Sequence, residues 1–185
     1  MSYGAFSGNP KTMWLSDRGD DRDMQVIEDF WYLDQDGRRW DVPAGTVING
    51  ASIPRTLWSS VGSPYTGNYR RAALVHDAAV GREGVLRAES DAMFYFACLA
   101  GGCSQLQAKM LYAGVRLGAW ASNTHLLSME AASAVPDATR LPGEQTPREL
   151  EIRARYTLIA NQLKATGNDF AEVEQVVDRN LGRAH

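Results

Sequence analysis

Tyr69-Arg70-Arg71-Ala72-Ala73-Leu74-Val75-His76-Asp77-Ala78-Ala79-Val80 decides how this chain is read. The run is rich in small helix formers and holds no Gly or Pro, so it reads as a helix over about 69–80. It places the chain's one well-situated histidine, His76, beside a carboxylate, Asp77. A second carboxylate, Asp91, falls early in the next helical run, about 86–100. Only Gly81-Arg82-Glu83-Gly84 and its flanks separate the two helices, and helices joined so tersely pack antiparallel. His76 and Asp91 are therefore expected within hydrogen-bond reach of each other.

Working downstream, Met93, Phe94, Phe96, Ala97 and Leu99 give the second helix a wide apolar face, and Gly101-Gly102 ends it. Ser104 and Gln107 stand at capping-box spacing and open a third helix, about 104–120, with a stripe of Leu106, Met110, Val115 and Leu117. Residues 122–146 are rich in Ala, Ser and Pro and read as a linker. Thr146-Pro147-Arg148-Glu149 combines a cap, Pro at the first helical position and Glu at the third, which starts a helix of about 147–165. Thr166-Gly167-Asn168 breaks it, and a last helix, about 169–182, carries Phe170, Val173, Val176, Val177 and Leu181 at helical spacing. So narrow a stripe, behind a long linker, points to a partner surface.

Upstream, residues 1–24 read as an irregular arm with room for one strand. Residues 25–33 and 38–42 form a β-hairpin about Gln35-Asp36-Gly37, where Gly tolerates a positive φ. Pro43-Ala44-Gly45 is a second turn and Thr46-Val47-Ile48 a short third strand. Pro54 biases Ile53 to an extended conformation and starts a helical turn that buries Leu57 and Trp58. The expected fold is α+β: a small N-terminal antiparallel hairpin or sheet packed on a three-helix bundle, with a C-terminal helical hairpin appended. The expected division is a core with its N-terminal arm over 1–121, a linker over 122–146, and the appendage over 147–185.

Composition narrows the function classes. Nineteen basic residues stand against 22 acidic ones, a net charge of −3, so no general basic excess points to nucleic acid. No run of 18 apolar residues exists, and Met1-Ser2-Tyr3-Gly4-Ala5-Phe6 lacks the basic-then-apolar pattern of a signal peptide. Cys98 and Cys103 flank Gly101-Gly102, where a disulfide is sterically possible; two free thiols in a reducing compartment is the favoured reading.

The chemistry that His76 could support is proton abstraction near neutral pH. Adjacent helical residues project about 100° apart, so Asp77 is poorly placed to orient His76, and Asp91 takes that role. Asp77 is left to hold a divalent cation or a substrate group. Asn49, Ser52 and Arg55 would form the opposite wall, Asn49 donating to an oxyanion or phosphate and Arg55 clamping an anion. The plainer readings compete with each of these. His76 is then a core residue with one polar neighbour, Asp91 an ion-pair partner of Arg87 four residues earlier, and Ser52 a cap or turn residue.

Val42-Pro43-Ala44-Gly45, Asn49-Gly50-Ala51-Ser52-Ile53-Pro54-Arg55, Leu57-Trp58, Val75-His76-Asp77, Asp91 and the Met110–Trp120 run together resemble family 1353 of the domains of unknown function over about residues 26–120. The resemblance implies a tailed-phage, prophage or bacterial setting. This chain departs from the family pattern at Asn49, where Asp is usual, and at Ala78-Ala79-Val80, where His-Asp usually continues with Tyr-Leu-Tyr. Two functions follow. One is a phage-associated assembly or interaction protein, a tail or virion component made in the host cytoplasm, which meets other subunits through its C-terminal helices and N-terminal arm. The other is a small hydrolase of a cell-envelope substrate, phospholipid or peptidoglycan, with His76 as base. The two departures and the appended helices favour assembly.

Overall fold

Two small antiparallel sheets occupy the first part of the chain. The computed structural model describes residues 2–15, 23–48, 50, 52–62, 67–128 and 145–182, the side chains of 124–128 set aside. Six short strands appear in order: β1 (Ala5–Phe6), β2 (Thr12–Trp14), β3 (Met24–Val26), β4 (Phe30–Leu33), β5 (Arg39–Val42) and β6 (Val47–Ile48). One sheet has the order β1-β4-β5 and the other β2-β3-β6.

Asp34 builds the hairpin between β4 and β5. One carboxylate oxygen accepts from the backbone N–H of Asp36 (3.0 Å) and Arg38 (2.8 Å), and the other from the Trp40 indole (2.9 Å). Tyr32 then sits opposite Trp40, and Phe30 opposite Val42. All four are buried, so one face of the hairpin lines the core.

The expected single strand over 25–33 is corrected to two. Met24–Val26 pairs with β2 and β6, whereas Phe30–Leu33 pairs with β1 and β5. Glu28-Asp29 interrupts the run with strand-averse residues, and the Asp29 carboxylate accepts the Ala44 N–H (2.8 Å), which pins the next turn. The arm is also corrected: it supplies β1 and β2, one strand to each sheet. Its aromatic Phe6 stacks on Phe30 (5.8 Å) and Tyr32 (4.9 Å). The surface through which the arm was expected to meet a partner is in part used inside the chain.

A 3₁₀ turn (Arg55–Leu57) leads into the helices α1 (Trp58–Val61), α2 (Arg70–Ala79), α3 (Arg87–Ala100), α4 (Gln105–Ser128), α5 (Pro147–Ala165) and α6 (Phe170–Leu181). The fold is α+β, with the β4–β5 hairpin against α2 and α3 packed between α2 and α4. α5 begins with the expected capping box, Thr146 and Glu149 each accepting the other's backbone N–H.

α4 is the axis of the helical part. α1, α3, α5 and α6 all pack on it, so it buries Ala108, Leu111, Tyr112, Ala113, Val115 and Leu117 on several sides rather than along one stripe. The expected stripe is therefore misphased at Leu106, which stays 46% exposed. The helix also continues through Ser128, into the region expected to be linker; residues 129–144 lie outside the described ones.

The stripe on α6 is corrected in the same way. Val173, Val177 and Leu181 are buried, and Phe170 packs against Tyr95, Phe96 and Tyr112 at 4.9–5.2 Å. These residues share one hydrophobic cluster with α2, α3 and α4. Within the chain this stripe packs on α4 and α5, with Phe170 reaching α3. Two polar contacts lock it: Arg116 donates to Asp178 in a buried ion pair, and the Lys109 ammonium donates to the Thr166 carbonyl at the α5–α6 turn (2.8 Å).

Candidate functional site

His76 and Asp91 meet as the short α2–α3 connection requires. His76 Nε2 lies 2.7 Å from Asp91 Oδ1, and both residues are fully buried. Arg87, one helical turn before Asp91, donates to the same oxygen at 2.8 Å and reaches the Val115 carbonyl at 3.4 Å. The group is therefore a triad spanning α2, α3 and α4, with Arg87 at its solvent edge. Phe94 covers the imidazole, with the ring centroids 5.0 Å apart. Burial alone would raise the Asp91 carboxyl, but the hydrogen bonds and charges of His76 and Arg87 overcome it and hold the carboxyl below its ordinary value. Asp91 thus works as an anion that ties three helices together.

Neither His76 nor Asp91 lines the hollows beside Ser52 and Ile152, beside Ile48 and Asp77, or beside Ser60 and Leu111. The hollow between β3, β6 and α2, which Asp77 helps to line, has a volume of only about 10 Å³, the room of a single water at most. His76 Nδ1 and Asp91 Oδ2 are buried without a hydrogen-bond partner among the described residues. The pair has the geometry of a catalytic dyad but not the access of one.

Asp77 points elsewhere, as the angular spacing along the helix demands. Its carboxylate accepts the Gly50 N–H at 2.9 Å, so it anchors the start of the 50–55 segment on α2. Asn49 lies outside the described residues. Among those described, no three His, Cys, Asp or Glu side chains gather as a metal-binding group.

Ser52 and Arg55 make no hydrogen bond to His76 among the described residues. From Gly50 the chain crosses to α4, where Ser52 adopts φ 56°, the left-handed region that a serine seldom enters. The close approach behind this depends on Gly118: a Cβ there would stand 2.0 Å from the Ser52 carbonyl oxygen. Gly114, one turn earlier, takes the Ile53 side chain at van der Waals distance. Ser52, Arg55, Gly118 and Ile152 border a cavity of about 650 Å³ between this segment, α4 and α5. Sequence reasoning missed that cavity. The available signal was two glycines four apart inside a long helix, each costing about 1 kcal/mol relative to Ala unless something packs closely there.

Residues 24–115 match the family model described as Protein of unknown function (DUF1353). Over 111 residues the chain is 33% identical to the uncharacterized protein y4jT of Sinorhizobium fredii (strain NBRC 101917 / NGR234), an overlap covering 60% of this chain and 32% of that protein. It is 37% identical over 97 residues to the uncharacterized protein y4iH of the same strain, covering 52% of this chain and 41% of that protein. The chain therefore spans about a third to two-fifths of the length of these curated relatives. No solved structure matches it.

Proposed function

We propose, for a chain that belongs through residues 24–115 to the family described as Protein of unknown function (DUF1353), a binding role in a phage-associated assembly, as a tail or virion component. In this reading His76, Asp91 and Arg87 are an internal strut, and the protein works through its surface.

The observation that carries the reading is the complete burial of His76 and Asp91. A general base must come within hydrogen-bond reach of the proton it removes, and here the imidazole is enclosed by Phe94 and the α2–α3 interface. The sequence supports the same direction. Asn49 stands where the family resemblance has an acid, and Ala78-Ala79-Val80 replaces its aromatic continuation. The relatives add context: the shared segment is a module within longer chains.

The test has two parts. Purified protein and its His76→Gln variant are compared for hydrolysis of phospholipid vesicles and of peptidoglycan, with circular dichroism to confirm that both are folded. The expected result is no hydrolysis that depends on His76; turnover abolished by His76→Gln in a folded variant would overturn the reading in favour of an envelope hydrolase. A tagged copy, expressed from its own genomic setting, is expected to sediment with phage particles or tails. A tag found only in the soluble fraction counts against assembly.

A further inference from the structure

We infer that the cavity between the 52–55 segment, the C-terminal half of α4 and the start of α5 binds an amphiphilic anion, a carboxylate or phosphate head on an apolar body. It is an open groove rather than an enclosed chamber, and its volume of about 650 Å³ lies in the range of small-molecule sites. Ile53, Pro54, Ala121 and Ile152 supply an apolar wall, so the body of the ligand has to be aliphatic or aromatic.

The head is specified by charge. Arg55 lines the cavity, and its guanidinium lies 5.7 Å from the Trp58 ring centroid without a carboxylate partner among the described residues. Arg153 follows Ile152 and donates to the Ser59 hydroxyl (3.1 Å), with no carboxylate partner among the described residues. Farther along α5, Arg148 and Arg155 both pair with Glu151, at 2.8 and 3.2 Å. Arg55 at the cavity, and Arg153 next to its lining residue Ile152, thus lack a carboxylate partner among the described residues, and guanidinium geometry suits two-oxygen heads.

The wall is also held under strain. Ser52 keeps φ 56° because Gly118 admits its carbonyl and Asp77 fixes Gly50. Such conformations cost about 1–3 kcal/mol and persist where the surroundings impose them, which is typical of ligand-contacting segments. The site is distinct from the His76–Asp91 pair and stands whether or not the assembly reading holds.

The test uses 1-anilinonaphthalene-8-sulfonate, an anion on an aromatic body, as a fluorescent probe of the full chain. Saturable binding of one probe per chain is expected. Decanoate and decyl phosphate compete, the stronger one identifying the head group, and decanol, with the same chain length and no charge, does not. Removing both charges with Arg55→Gln and Arg153→Gln weakens binding at least tenfold. Ser122→Trp, at the exposed rim of the cavity, blocks it while leaving the circular dichroism spectrum unchanged. No saturable binding, equal competition by decanol, or binding unchanged in both folded variants would each overturn the assignment.

Discussion

At the scale of single residues, Asp91 is the most consequential side chain. One of its oxygens accepts from both His76 and Arg87, at 2.7 and 2.8 Å, inside a fully buried site. Removing one member of a buried charged group leaves the others uncompensated, so Asp91→Ala is expected to cost about 3–5 kcal/mol, measured by urea unfolding at pH 7. The pH dependence has a definite sign. Its folded carboxyl lies below the ordinary value, so its stabilisation is present above the unfolded value of about 3.9 and is lost as pH falls through the folded one. Unfolding midpoints between pH 7 and pH 2 are expected to fall below about pH 4 in the wild type, and to fall less steeply in Asp91→Asn. Equal slopes would mean that Asp91 is not held low. The His76–Asp91 contact was legible from sequence because a short connection leaves two helices little choice of packing. The enclosure of that contact was not, since it depends on Phe94 and on α4, which the spacing of two residues does not encode. Ser52 was illegible for a different reason: a serine carries no local signal that a glycine sixty-six positions later will hold it in the left-handed region.

Among the elements, α4 decides the stability of the helical part, and its weak point is polar. Arg116 is buried beside Asp178 of α6, with its Nε and one terminal nitrogen lacking partners among the described residues. Arg116→Met should leave Asp178 as an uncompensated charge and destabilise by about 3–5 kcal/mol. Adding Asp178→Leu should recover most of that loss, because two apolar groups of similar bulk avoid the desolvation that the ion pair incurs. Thermal melts of the two single variants and the double variant read the coupling directly. Helix positions were readable because their apolar spacing and caps are local; Thr146–Glu149 forms the box its spacing implies. The strands were less so. Residues 25–33 look like one run, yet β3 and β4 belong to different sheets, and only the distant partners at 5–6, 12–14 and 47–48 make that division. Strand pairing is set by non-local contacts, so the pattern within a run could not reveal it.

For the molecule as a whole, the question is how far α5 and α6 belong to the rest. Ile152, Tyr156, Ile159 and Leu163 of α5 are buried with Val173, Val177 and Leu181 of α6 in the cluster that includes α2 and α3. A chain ending after Ser128 is therefore expected to keep helical far-ultraviolet dichroism but lose its near-ultraviolet signal and cooperative melting. A truncated chain that melts as sharply as the full one would instead support a self-sufficient unit before the linker. The Arg116–Asp178 pair also bears on the order of events during synthesis. Sixty-two residues separate the two partners, so α4 leaves the ribosome before the anion that pairs with its Arg116 has been made. α4 can pack on α1 and α3 as soon as it is made, whereas the face that carries Arg116 is closed only when α6 brings Asp178 to it.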